Sequence, residues 1–479
     1  MKKKQWIIIA VLAIIASACS SDDETIVDDG PDGGDPEETL VVQFINSLGA
    51  SETTFKVNGA EFVTQNGTTL LITENTILKD DELRFTVSDE GNLSVVWNED
   101  SQFNAAANSL NNLFLEGNRA PSQFVFSQID DNSLSGTSGN RTLLLTVDEN
   151  LNVSATITFA EKNSVLSASI EEKTSSDYLT PPSILAGSEI FSFEGQSLRS
   201  GMKFAASRNS LYFVNREFSE TVQFIKYDLS TQSSTKVQYP GLNGFEKHLE
   251  LFEDKLVSLS QRELMELDYE MVNDPIVTQS NGPDGGEKSF LYHGDMYVVG
   301  GFGQLEANTI NRLSLETSTF SQVGLLPNEQ SYSDGAIYNE SLYVFGGWYP
   351  SQQGTNYFDD ILIYDTSTFT IQEELVMPIE VLDTFTARVQ NLIYVGGRAV
   401  EEVIDNGNGN TTVITRPFLG VLNAQTNEFT EYDTTNLFPN QYSLRNMTGS
   451  STALFLAVAS PGDHNDGQWK TTIYEVPLQ

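Results

Sequence analysis

The sequence predicts an all-β protein, an N-terminal β-sandwich or small barrel over residues 40–172 followed by a six-bladed β-propeller over 188–479. Two observations carry the prediction. From residue 40 onward the chain is built of short runs rich in β-branched and aromatic residues, separated by the Gly, Asn and Asp that tolerate tight turns. From about residue 210 two short motifs also recur six times in step, at spacings of roughly 40 to 60 residues, the repeat length of a four-stranded blade.

In chain order, residues 1–18 begin with Lys2, Lys3 and Lys4, continue as an apolar run over 6–15 and end in small residues. That order is a secretory signal, and the run falls short of the roughly 20 apolar residues that span a bilayer. Ala16-Ser17-Ala18-Cys19 resembles the lipobox of bacterial lipoproteins, which implies cleavage before Cys19 and lipid on its sulfur. An ordinary secretory signal with a chance cysteine is the alternative. Against it, Cys19 is the only cysteine in 479 residues, so an exported chain of this size has no disulfide and one thiol at the cleavage point. Ser21-Asp22-Asp23-Glu24 resembles the surface-export signal of Bacteroidota lipoproteins, which implies the cell-surface side of the outer membrane; the same residues also suit the start of a solvated tether. Residues 19–39 read as that tether, with nine acids over 20–39 and almost nothing apolar.

Over 40–172, strands are expected at 41–45, 55–57, 62–64, 69–72, 83–87, 93–97, 124–126, 142–147, 153–159 and 165–170. Turns are expected at Asn58-Gly59, Asn66-Gly67, Glu90-Gly91-Asn92 and Asp148-Glu149-Asn150, and only residues 103–115 have apolar positions near helical spacing. Residues 173–187, with Pro181-Pro182, read as a linker.

In the C-terminal half, the strand over 342–347, ending in Gly346-Gly347, recurs at 296–301 and 393–397, with weaker copies at 211–214, 256–259 and 454–457. A second strand ending in an Asx or acidic turn follows each copy, as at 225–228, 264–268, 361–365 and 419–423. The glycine pairs and the stretch 364–369 resemble the kelch repeat, strongly in blades three to five and weakly in the others; the Arg and His usual in the first kelch strand are not recognisable. The last repeat ends after its third strand, so the alternating run 189–193 is expected to supply the outer strand of blade six and close the ring.

The formal charge is −40, and −43 once residues 1–18 with their three Lys are removed. A field of that sign repels phosphate backbones and anionic lipid, so nucleic acid is excluded as a partner and membrane contact is expected through the lipid alone. No metal or other cofactor is expected: 405–410 and 463–467 approach a Ca²⁺ loop without completing one and read as polar turns. No catalytic residue is assigned either. The three histidines, His248, His293 and His464, form no motif, and neither a phosphate-binding Gly-rich loop nor a Gly-x-Ser-x-Gly elbow occurs. The likeness to galactose oxidase stops at architecture, because its cofactor needs a Cys crosslinked to a Tyr and the one Cys here is the lipid anchor.

Propeller geometry gives the better pointer. The connections from second to third strands of a blade share one face, and there 348–358, 398–417 and 460–469 are long. They carry Trp348, Tyr349, Tyr357, Arg398, Arg416, His464 and Trp469, flat rings beside charged groups of the kind that hold a glycan or peptide. The same rings could instead pack the loops onto the blade tops. The reading that results is a surface lipoprotein whose propeller face is a non-catalytic binding module for a glycan, peptide or partner protein. The alternative is a carbohydrate-active enzyme resembling N-acetylneuraminate epimerase.

Overall fold

A computed structural model describes residues 38–478 apart from short segments, the longest being 73–81, 104–113, 240–248, 280–288, 301–307 and 461–469. The signal segment, Cys19 and all of the tether but its last two residues therefore lie outside the described residues. Residues 40–479 form one unit that holds both a barrel and a propeller.

The N-terminal part begins with a helix, α1 (Leu40–Leu48), and not with the strand expected at 41–45. Two adjacent valines suggest β propensity, but Val41, Phe44 and Leu48 fall on one helical stripe and that whole stripe is buried, so packing overrides propensity. Eleven strands follow: β1 (Thr53–Val63), β2 (Thr69–Ile72), β3 (Glu82–Val87), β4 (Leu93–Asn98), β5 (Ser101–Phe103), β6 (Phe114–Glu116), β7 (Ser122–Asp130), β8 (Ser133–Ser138), β9 (Arg141–Val147), β10 (Val153–Phe159) and β11 (Ser164–Glu172). Eight of them close a barrel in the order β1-β3-β4-β7-β8-β9-β10-β11, sealed by the antiparallel pairing of β11 with β1. The barrel alternative is thus the one realised. The helix expected over 103–115 is not formed at its ends, where Phe103 pairs with Phe114 and Gln102 with Leu115.

Alternation fills the barrel. In β9, β10 and β11 every second residue is buried, and Leu145, Ile157 and Leu166 meet Phe62, Phe85 and Trp97 in one core that also takes the apolar stripe of α1. Asn58-Gly59 is not a turn: it lies inside β1, where the ladder to β11 slips between Val57 and Gly59. One extra residue there bends the strand, and this lets β1 pair with β3 along its first half and with β2 along its second.

Six antiparallel blades follow, five of four strands and blade one of five, its inner position shared by the short strands Gln196–Ser197 and Ala205–Ala206 that both pair with Ser210–Arg216. The ring closes as expected: Ser188–Glu194 takes the outer position of blade six, pairing with Lys470–Pro477. It also ties blade six to blade one, because Phe193 stacks on Phe213 at 4.9 Å and the Tyr227 hydroxyl donates to the Ile190 carbonyl. Both repeated motifs have a physical cause. A Cβ on Gly347 would sit 2.5 Å from Ser333 Oγ and one on Gly397 2.6 Å from Val381 Cγ1, so the glycines let the inner strands and their leads approach the second strands closely. In blades one, two, four and five an Asx at the end of the third strand closes the next turn: Asp228 accepts from the Ser230 and Thr231 amides, Asp268 from those of Val272 and Asn273, Asp365 from those of Ser367 and Thr368, and Asn423 from that of Gln425.

The linker is docked. Asn391 accepts from the Leu179 amide and donates to the Leu179 carbonyl, and Leu185 is buried in the core shared by blades five and six. Nearby, Arg84 of β3 reaches Glu340 at 3.1 Å, in the tight turn of blade four where Asn339 and Glu340 both have positive φ. The barrel thus contacts the first-to-second-strand turn of blade four, at the end opposite the second-to-third connections.

Candidate functional site

Two of the three long connections are not loops but continuations of their strands. In blade four, Ser341–Ser351 and Gly354–Asp365 run on as a paired ribbon past a slip between Phe345 and Gly347. In blade five, Leu392–Asp405 and Thr411–Asn423 do the same, with Asp405 pairing with Thr411 at the far end. From Arg398 to Asp405 this arm is eight residues long, which at about 3.4 Å per residue is on the order of 25 Å. The sequence suggested loops because the tips are polar and the β-branched residues near them, Val403, Ile404 and Ile414, are exposed and mimic no buried face.

Pairing register sorts the expected site residues. Trp348 lies opposite Tyr357 and shares a face with it, whereas Tyr349, opposite Asn356, is on the other face, where its hydroxyl bonds Glu329. Arg398 lies opposite Pro417 and Arg416 opposite Ala399, so the two arginines occupy opposite faces of the arm. Arg416 is engaged by Glu431 at 2.6 Å and Glu401 at 3.5 Å, a pairing that fastens the arm to its own blade. His464 and Trp469, like His248 and His293, lie outside the described residues.

Trp348 and Arg398 do come together, through a residue that sequence reading passed over. Asp383, on the inner strand of blade five, accepts from Arg398 Nε at 2.9 Å and from Arg398 Nη2, and the Trp348 indole N–H points to its other oxygen at 3.5 Å. Tyr332, in the lead to the inner strand of blade four, stacks on Trp348 with ring centroids 5.1 Å apart and planes at 4°. The Trp348 backbone is bonded both ways to Ser331. No family model matches this chain, and no curated protein matches it.

The setting is polar and buried. Gln330, Ser331, Ser333, Asp334, Asp383, Thr384 and Thr386 are all buried where blades four and five begin, an unusual concentration for a core. Asp334 accepts from the amides of Gly335 and Thr386, and Thr384 donates to the Tyr332 and Phe345 carbonyls, so blade five is pinned to the lead of blade four. Arg445, on the inner strand of blade six, completes the group; burial lowers its pKa, Arg398 lowers it further by like charge and Asp383 opposes both. A second carboxylate, Asp360, is pushed up to about 6 by burial and takes a long bond from Gln330, whose Oε1 is buried without a partner.

The signal that could have found Asp383 is its place inside the apolar run 381–389, where a carboxylate has to be paired. Tyr332 and Arg445 had none. Of the two stretches that approach a Ca²⁺ loop, the first is a turn in which Asp405 accepts from the Gly407 amide, and the second lies outside the described residues. Among the described residues no group of three or more His, Cys, Asp or Glu is placed to hold a metal ion.

Proposed function

We propose that this protein is a lipid-anchored surface module whose propeller binds a glycan, peptide or partner protein on the face bearing the ribbons of blades four and five. One observation carries the reading: two ribbons project from one face around a Trp–Tyr stack and an Arg–Asp pair, while the barrel contacts the opposite end of blade four. Loops and extensions held on a rigid scaffold are where binding function concentrates. Kelch descent rests on the glycine pairs and Asx turns alone, and the export reading rests on residues 1–24.

The enzyme alternative needs an acid or base poised beside an arginine. Of the carboxylates that burial raises among the described residues, Asp360 faces Gln330, Glu380 is raised further by Asp359, and Asp295 lies beside Arg312 but at the first-to-second-strand end of blade three; Asp383 is taken up by Arg398, which leaves binding as the better reading for the ribbon face. Shortening the arm tests it: replacing residues 400–415 by Asn-Gly, a two-residue hairpin turn, joins Ala399 to Arg416 in register. Binding on glycan and peptide arrays should fall while the melting temperature holds; unchanged retention of a ligand that the parent retains would reject this face. Anchoring is checked separately, since Cys19→Ala should move the protein from the membrane to the soluble fraction, acyl chains being its only hold.

A further inference from the structure

We propose that the outer edge of the blade-five arm, residues 411–415, takes an extended basic segment of another protein as an added β-strand. This deepens the binding reading above, from a choice of ligands to one class of partner, and rests on it.

Hydrogen bonding at the root of the arm fixes which way its backbone points. The Ala424 amide donates inward to the Asn391 carbonyl, while the Leu419 carbonyl accepts from the Tyr432 amide on the outer side. Direction alternates along a strand, and the ladder slip between Val400 and Glu402 puts the extra residue on the other strand, so Thr411, Val413 and Thr415 point outward as Leu419 does. Their amides and carbonyls face away from Leu392–Asp405. Among the described residues no strand pairs with them, since Glu428–Glu431 reaches only as far as Gly420. The open edge ends at Pro417, which has no N–H and whose carbonyl accepts from Arg416 Nη1.

Native edges of this kind are normally guarded. The opposite edge of the same arm has a bulge together with Glu401, Glu402 and Asp405, and the blade-four ribbon is held at Trp348 by Ser331 and carries Pro350 near its tip. Thr411-Thr412-Val413-Ile414-Thr415 has no charge, proline or bulge, is entirely β-branched, and is exposed or half-buried throughout. Extended peptides join sheets along such edges, and these residues offer about 17 Å of strand.

Charge selects the partner. Pairing register puts Glu402 beside Ile414 on one face of the arm and Asp405 beside Thr411 on the other, both carboxylates exposed, while Arg416 at the root is engaged by Glu401 and Glu431. A strand laid along residues 411–415 therefore meets a carboxylate within reach of a Lys or Arg side chain on either face, and its own β-branched residues pack on Ile414. Acids outnumber Lys and Arg by 66 to 26 in the chain, so an acidic partner, a second copy of this protein included, is repelled.

The test is an array of short peptides built from Val, Thr and Lys, the same peptides with Glu for Lys, and a glycan array, all read with the intact protein and followed by titration. Retention of the Lys peptides alone is expected. Val413→Pro removes an outward N–H that the arm's own ladder does not use and should weaken binding about tenfold or more, whereas Val403→Pro, its partner on the guarded edge, should leave binding unchanged. Should Val413→Pro fail to fold, methylating alternate backbone nitrogens of the peptide decides: one phase should abolish binding and the other spare it. Equal binding by Val413→Pro and the parent, or by both methylated series, would overturn the strand inference and leave the binding reading standing. So would retention of glycans alone, or a dimer of the protein alone that Val413→Pro dissolves. Glu peptides retained as well as Lys peptides would overturn the basic partner, and arrays that retain nothing would count against both inference and reading.

Discussion

Asp383 joins Arg398 of its own blade to Trp348 of the preceding one, accepting from the guanidinium at 2.9 Å and facing the indole N–H at 3.5 Å. The carboxylate is buried, so it is matched to a cation and loses its place when that cation goes. Arg398→Ala should destabilise the propeller by about 3 kcal/mol, the usual cost of leaving a buried charge without its partner. Asp383→Ala should cost less, because the arginine left behind is part-exposed and water can solvate it, and the double variant should cost less than the sum of the two, because no buried charge is then left uncompensated. Urea melts of the three proteins check this; strict additivity would show that the pair is not coupled.

The fold was legible because its two periodicities are strong. Period-two burial marks β9 to β11, and the repeated glycine pairs and Asx turns each answer a local steric or hydrogen-bonding need that only a few residue types meet. Three elements were hidden for specific reasons. Strand β8 reads Ser-Leu-Ser-Gly-Thr-Ser, with Leu134 its one large apolar residue, so it forms only because β7 and β9 flank it. Helix α1 is a nine-residue stripe whose valines speak for a strand until a barrel core covers them. The ribbons of blades four and five looked like loops because backbone pairing, not burial, holds them. For the candidate site, aromatic and arginine content singled out Trp348 and Arg398, but the neighbours Asp383, Tyr332 and Arg445 are brought in by other strands and by bulges that no local pattern announces.

Burial raises the Asp360 carboxyl to about 6 from an ordinary value near 4. The folded state therefore holds this proton more tightly than the unfolded state does. The group's contribution to stability is fully present below about pH 4 and is lost as pH rises through about 6. Asp177 runs the other way: its bond from Lys56 lowers it to about 2, so its contribution is present above about pH 4 and fades toward pH 2. Asp360→Asn should stabilise the protein by about 1–3 kcal/mol at pH 7, little at pH 4, and flatten the melting temperature between pH 4 and 6. An equal effect at pH 4 and pH 7 would show that the carboxyl ionises freely in the folded state.

Phe193 is a test of closure within the full chain. It is buried on the strand that completes blade six, and it stacks on Phe213 of blade one. Phe193→Ala should cost about 3 kcal/mol, the typical loss for a buried aromatic, and should loosen two blades together. Amide exchange should rise in both Lys470–Pro477 and Ser210–Arg216 while the barrel strands β9 to β11 keep their protection. Faster exchange confined to blade six would mean that the closing strand does not lock the ring.

Trp348 separates packing from recognition, and it does so only when stability and binding are read on the same samples. Its indole stacks on Tyr332 and its N–H reaches Asp383, so some structural cost is certain for Trp348→Ala: an aromatic pair contributes about 0.5–1.5 kcal/mol beyond the area it buries. Trp348→Phe keeps a ring on Tyr332 and removes only the N–H, and it should melt close to the parent. If the stack is a binding platform, Trp348→Ala should weaken ligand binding by more than about 1 kcal/mol even when titrated well below its own melting temperature, the margin that distinguishes an anchoring residue from a rim contact. Trp348→Phe should then fall between the two, keeping the platform but losing the polar edge. A lowered melting temperature for the alanine variant with undiminished affinity in its folded population would assign Trp348 to packing alone and move the ligand's anchor elsewhere on the propeller.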